Sequence, residues 1–317
     1  MSRDGHRASM DRVRVGVVGL GKWGRHHARI YHQLPEADLC AVVSPNPAEV
    51  MEFATRYNTR GYLDHRELIG RVEAVSVVAP TTYHYPIARD LLEAGIHVLV
   101  EKPITSRVEE AEELIRCARR AGCVLLVGHV ERFKPAVECL LSRAQDPLVV
   151  HARRVRPYQP GRAMDVGVVV DLMIHDIDVL LALVRSSVRS TWGIGARLYG
   201  DGEDVAIAQL VLENGCVANL MASRVAQAKA AEIEVTTPTE CLHLDYLRER
   251  LTAWRPRHRE EVPVRHEEPL RVELRHFLAC VRGEERPRVP GEAGLEALAV
   301  AQRIVSSLHL VGAAVRV

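Results

Sequence analysis

The chain has 317 residues, 47% hydrophobic and 26% charged, with a formal net charge of +1 at pH 7. That length suits two domains rather than one small core, and the near-neutral charge supplies no global field for nucleic acid or an anionic membrane. No apolar run reaches the ~18–20 residues a membrane helix needs, and the seven cysteines show neither CxxC pairs nor zinc-ligand spacing, so reduced thiols, a cytoplasmic setting and no metal centre are expected.

The polar start MSRDGHRASMDR lacks the apolar stretch of a signal peptide and reads as a disordered leader. From residue 12 the chain alternates strand-like and helical patterns. RVRVGVVGL is followed by KWGRHHARIYHQL, ADLCAVVS, VEAVSVVAP, HYPIARDLLEAG, IHVLVEKP, SRVEEAEELIRCARRAG and CVLLVGH. This order predicts a doubly wound parallel sheet of the Rossmann type over 12–128. Gly95 and Gly122 stand where helix C-caps are expected. Cys40, Cys123 and Cys216 lie in apolar strand-like segments and read as small core residues.

After about residue 128 the pattern changes. The strand LVVHARRV and the loop RPYQPGRAMD lead into an apolar helix, and then come closely spaced strand candidates: RSTWGIGARLY, VAIAQLVL, CVANLMASRV, AEIEVTT and ECLHLDY. RPRHREEVPVRHEEP is too charged and too broken by proline for core and is expected as a surface loop. LRVELRHFLACVRG and GLEALAVAQRIVSSLHLV are expected as helices. The second domain, 129–317, is therefore expected to be α+β with a largely antiparallel, open sheet, and the whole chain to be of the α/β class. An open sheet face favours a homodimer or homotetramer.

Gly19, Gly21 and Gly24 form GxGxxG between a strand and a helix. There the glycines permit a tight turn and let a pyrophosphate approach a helix N-terminus. Leu20, Lys22 and Trp23 complete that loop. The fingerprint also expects an acid about 20 residues on, to hold the adenosine ribose. Ser44 stands there, with no arginine beside it to welcome a 2′-phosphate, so NAD is favoured over NADP without excluding it. Two further strand ends, carrying Pro80, Thr81 and His84 and then Glu101, Lys102 and Pro103, point toward the same crevice, so Pro80, Thr81, His84, Glu101 and Lys102 are expected to line the cofactor site. Lys102 is either a group near a nicotinamide or a surface charge, and His84 reads as a residue that fixes its loop rather than as a catalyst.

The stretch VGVVVDLMIHDIDVLLAL is apolar around Asp171, His175, Asp176 and Asp178. At about 100° per residue, Asp171, His175 and Asp178 share one narrow sector of a helix. Burying an ionised carboxylate without partners costs several kcal/mol, so the cluster is either a polar network or a site. The basic residues Arg153, Arg154, Arg156 and Arg162 suit a nucleotide diphosphate or form a solvated face.

GLGKWG, EKP and the Asp-x-x-x-His-x-x-Asp helix together resemble the Gfo/Idh/MocA family of nicotinamide-dependent oxidoreductases, over essentially residues 12–315. The resemblance implies that Lys102, Asp171 and His175 line the substrate site. GHVERFKP and DLMIHDID are similar to a narrower branch, the UDP-N-acetylglucosamine 3-dehydrogenases and related nucleotide-sugar 3-dehydrogenases, with Lys134 where asparagine is usual. That branch implies NAD-dependent oxidation of the 3-hydroxyl of a UDP-amino sugar. His175 would be the base, Asp171 or Asp178 would orient it, Lys102 would stabilise the oxyanion, and Arg132, Arg156 and Arg162 would be substrate contacts. An inositol or free-sugar dehydrogenase, or a dinucleotide-binding regulator without turnover, are the alternatives.

Overall fold

The computed structural model describes residues 12–159, 166–199 and 201–311; the expected leader (apart from Arg12) and Arg162 lie outside them. The chain begins with β1 (Val13–Val18), α1 (Lys22–Gln33), β2 (Ala37–Val43), α2 (Pro47–Tyr57), β3 (Arg60–Tyr62), β4 (Ala74–Val77), α3 (His84–Glu93), β5 (His97–Glu101), α4 (Val108–Ala121) and β6 (Leu125–Gly128). These six strands form one sheet in the order β3-β2-β1-β4-β5-β6, and every pair is parallel. Strands covered on both faces must be apolar throughout, and every residue of β4 and β6 is buried. The reversal of strand order between β1 and β4 opens a crevice at their carboxyl ends. The glycines expected to end helices do so: Gly122 caps α4 at φ 65 and Gly95 follows α3 at φ 79.

The chain continues with α5 (Pro135–Arg143), β7 (Val149–Val155) and a π-helical turn, Val169–Met173, that runs directly into α6 (Ile174–Val184). Then come β8 (Val188–Ala196), β9 (Val205–Leu212), β10 (Val217–Ser223), β11 (Ala230–Thr236), β12 (Cys241–Asp245), β13 (Arg250–Arg255) and β14 (His258–Val262), followed by α7 (Pro269–Val281), α8 (Gly291–Ser307) and β15 (Leu308–Val311). The nine strands order as β14-β13-β12-β11-β7-β10-β9-β8-β15. The sheet is mainly antiparallel, with β7–β10 and β8–β15 parallel. One face is apolar: Val150, Ala152, Ala208, Leu220 and Ile233 form a core with residues of α5, α6 and α8.

Four expectations are corrected. The charged segment 255–269 was expected to be a loop, but His258–Val262 pairs with β13 as an edge strand. Its charges suit an edge open to water, and Glu260 pairs with Arg143, which also forks onto Glu240 at 2.8 and 2.7 Å. The last turn expected of the final helix is β15, parallel to β8. The chain also divides into compact units differently: one runs to Val130 and includes Glu268–Leu295, and the other comprises Glu131–Glu267 and the chain from Glu296. Helix α7 therefore belongs with the first unit, where Arg29 of α1 pairs with Glu268 and Val127 N donates to Val289 O at 2.9 Å. Of the cysteines expected in the core, Cys216 is buried, whereas Cys40 and Cys123 are partly exposed.

An ion network inside the second unit fixes α6 against β7. Arg154 forks onto Asp176 at 3.0 and 2.8 Å and reaches Glu131 at 3.0 Å. Lys134 holds the other Glu131 oxygen at 2.9 Å and donates to Tyr246 O at 3.1 Å. The Arg154 guanidinium lies 4.7 Å from the Tyr246 ring centre. Burial alone would raise the Glu131 carboxyl, but the charges of Arg154 and Lys134 hold it below its ordinary value. Lys134, the departure noted in the sequence, is thus a member of this network. Asp176→Ala should leave a buried guanidinium partly unpaired and cost about 3–5 kcal/mol; urea denaturation at pH 7 reads it, and a loss below about 1 kcal/mol would contradict the network's importance.

Candidate functional site

In the first unit, each glycine of GxGxxG has its own physical reason. Gly19 adopts φ +96, and a Cβ there would lie 2.6 Å from the backbone of Val78, so β1 and the end of β4 could not approach as they do. A Cβ on Gly24 would fall 1.8 Å from Gly19 O, so the third glycine lets α1 rise directly off the turn. At Gly21 the Cβ position has nothing within 4 Å among the described residues. Space over an exposed backbone, at the N-terminus of a 12-residue helix with no acid in its first turn, is the cradle a pyrophosphate fits. Leu20 is buried beneath it, while Lys22 and Trp23 are exposed. The structure buries Ser44 at the end of β2 and turns its hydroxyl to Glu49, to which it donates at 2.7 Å.

The ends of β4 and β5 are joined by His84. Its Nδ1 lies 2.8 Å from Pro103 O and its Nε2 2.8 Å from Ala79 O. Burial pulls its pKa below the ordinary value, against the pull of those carbonyls. This is the loop-fixing histidine expected. Pro80 is exposed and Thr81 opens the short turn before α3. Glu101, the last residue of β5, accepts from Lys102 N at 3.2 Å and meets His27 Nε2 of α1 at 3.2 Å. Burial would raise its carboxyl, yet the hydrogen bond and charge of His27, with the charge of Lys102, hold it below the ordinary value. Gly128 of β6 faces it across the sheet, where a Cβ would lie 3.0 Å from the Glu101 carboxyl carbon. His27 was missed in the sequence because a histidine on a helix carries no mark of its partner 74 residues away.

In the second unit, each aspartate of the polar helix takes its own arginine. Asp171 in the π turn accepts from Arg156 at 3.3 Å, Asp176 takes Arg154, and Asp178 accepts from Arg132 at 3.2 Å. Asp171 and His175 are partly exposed, whereas Asp176 and Asp178 are buried. A π turn widens the helix by one residue and recurs at functional sites; nothing in the sequence pattern announces it. Its N-terminus is held by Glu203, whose carboxylate accepts from Val169 N at 2.9 Å and fills the space a Cβ on Gly167 would need. Arg224, buried and paired with Asp204, donates to Val166 O at 2.8 Å on the approach to the same turn. Of the expected basic contacts, Arg154 is committed to the buried network, Arg153 faces Glu232 at 3.5 Å, and Arg156 and Arg132 hold carboxylates. Strand parity carried the signal for Arg154: it shares the inward register of Val150 and Ala152.

Two family models match the chain: "Oxidoreductase family, NAD-binding Rossmann fold" over residues 13–129 and "GFO/IDH/MocA C-terminal domain" over residues 145–239. The UDP-N-acetylglucosamine 3-dehydrogenase of Acidithiobacillus ferrooxidans is 33% identical over 93% of this chain and 97% of its own length. Its crystal structure superposes with a TM-score of 0.90, covering 94% of this chain and 98% of that one. The scyllo-inositol 2-dehydrogenase (NAD(+)) of Bacillus subtilis is 26% identical over 87% of this chain and 88% of its own.

Gly21→Ala should fold as the wild type does but bind NADH at least about tenfold more weakly. Gly24→Ala should lose stability outright, because its methyl has no space. Calorimetric melting with NADH titration separates the two, and equal behaviour of the variants would contradict these separate roles. A second outcome follows from Glu101. Its folded pKa is lowered, so its contribution to stability is complete above the ordinary carboxylate range and is lost as pH falls through the lowered value. The stability difference between wild type and Glu101→Gln should be full at pH 7 and shrink below about pH 4. Urea titrations across that range read it, and a difference independent of pH would contradict it.

Proposed function

We propose that this chain, which belongs to the Gfo/Idh/MocA family of oxidoreductases, oxidises the 3-hydroxyl of a UDP-linked amino sugar, UDP-N-acetylglucosamine foremost, with NAD as hydride acceptor, as a homodimer or homotetramer in the cytoplasm. The observation that carries the reading is the nearly end-to-end match, in sequence and in structure, to a UDP-N-acetylglucosamine 3-dehydrogenase. The inositol dehydrogenase at lower identity keeps an inositol or a free sugar as the second reading. The exposed sheet face, carrying Trp192 and Ile207 at 53% and 43% exposure, supports a second copy as its cover.

Oxidation of an alcohol needs a base for its proton, charge to stabilise the developing alkoxide, and alignment for hydride departure. A bound nicotinamide supplies the hydride acceptor. His175 takes the hydroxyl proton as the general base. Asp171, itself oriented by Arg156, fixes the imidazole's tautomer. The Lys102 ammonium donates to the substrate oxygen and stabilises its negative charge. In the same proposal Arg132 and Arg156 meet the diphosphate, with their guanidinium planes set by Asp178 and Asp171.

A panel of UDP-sugars, inositols and free sugars, followed by NADH absorbance at about 340 nm, should show turnover with UDP-N-acetylglucosamine. Turnover only with an inositol would shift the reading to the second. Lys102→Ala should lower kcat by roughly 10²-fold or more, and His175→Asn by about 10²–10⁴-fold, each with an unchanged thermal midpoint. Asp171→Asn should act in the same direction but more mildly. A fallen midpoint with kcat intact in His175→Asn would make that histidine a structural residue.

A further inference from the structure

Ser44 stands at the end of β2, where a dinucleotide fold commonly has a carboxylate for the adenosine ribose. Ser44 cannot itself supply that acceptor. It is 3% exposed, its hydroxyl donates to Glu49 at 2.7 Å, and its oxygen accepts from Asn46 N at 3.2 Å. The next turn is equally fixed. Asn46 caps α2 by accepting from Ala48 N at 3.0 Å, and Pro47 stands at the first helical position. Glu49 is the third residue of that helix, where a carboxylate commonly reaches back to the backbone N–H of the N-cap. Here Ser44 Oγ takes the Asn46 N–H instead, and the Glu49 carboxylate sits one hydroxyl beyond Ser44, on a partly exposed side chain. Among the described residues Ser44 is its only hydrogen-bond partner.

We propose that Glu49 is the ribose reader of this chain: its carboxylate, aimed by the Ser44 hydroxyl, accepts from the adenosine ribose hydroxyls and repels a 2′-phosphate, so that the chain selects NAD over NADP. Residues 44–49, SPNPAE, hold no cation that would compensate a phosphate. A carboxylate a few ångströms from a phosphate dianion is strongly unfavourable at low screening, whereas the same oxygen is a good acceptor for a diol. Ser44 is then a positioning residue, acting through the orientation of Glu49. The inference rests on the nicotinamide reading above but not on the identity of the sugar.

The test is equilibrium binding of NADH and NADPH without any sugar, by nucleotide fluorescence, on wild type, Glu49→Gln and Ser44→Ala. The wild type should bind NADH at least about tenfold more tightly than NADPH. Glu49→Gln, which keeps the shape and the bond from Ser44, should shrink that ratio about tenfold, mainly by tightening NADPH. Ser44→Ala should shrink it less. Raising salt should narrow the wild-type ratio, since repulsion is screened over about 10 Å at 0.1 M, and this arm depends on no variant. An unchanged ratio in Glu49→Gln, or a wild type that binds both nucleotides alike, would overturn the assignment and leave the nicotinamide reading intact. Failure to bind either nucleotide would overturn both. A loss of thermal midpoint in Glu49→Gln with the ratio kept would make Glu49 a helix cap only.

Discussion

A guanidinium placed among apolar side chains must be surrounded by carboxylates, and Arg154 is placed there by the register of its strand. It projects from β7 to the same side as Val150 and Ala152, and Asp176 and Glu131 close around it. Helix α6 cannot rotate without breaking a two-pronged bond inside the core. Because successive helical residues differ by about 100°, anchoring Asp176 toward β7 turns the neighbouring His175 to another side, toward partial exposure. The partial exposure of His175 thus depends on a buried ion pair in which it takes no part.

The same separation of labour runs through the rest of that helix. Three aspartates in an apolar stretch are tolerated because each has its own arginine, and those arginines come from two places in the chain: Arg132 from the turn after β6, and Arg154 and Arg156 from the end of β7. What looked in the sequence like a basic patch is largely internal compensation. Asp171 is the member left partly exposed, in a π turn whose first amides are held by Glu203.

In the first unit the organising constraint is steric. Gly24 brings α1 down onto the Gly19 carbonyl and Gly19 brings β1 against the end of β4, while Gly21 leaves its backbone uncovered. His84 ties the ends of β4 and β5, and Glu101 ties β5 to His27 of α1. Lys102 therefore follows a strand end fixed from two directions.

Local periodicity alone determined the two architectures and the glycine fingerprint. Each depends on residues close in sequence, where sterics and helical or strand pitch act directly. The quoted strands of the parallel sheet were legible because burial on both faces leaves continuous Val and Leu runs. Tertiary structure decided what composition hides. The charged 258–262 segment became an edge strand because pairing with β13 satisfies its backbone while its side chains stay in water. The return of α7 to the first unit depends on contacts between residues more than 200 apart, such as Arg29 and Glu268. Above all, the choice of partner for each charge could not be read along the chain. Which carboxylate meets Arg154, or that the Ser44 hydroxyl turns to Glu49, follows from distances and burial, and ion pairing acts through space rather than along sequence.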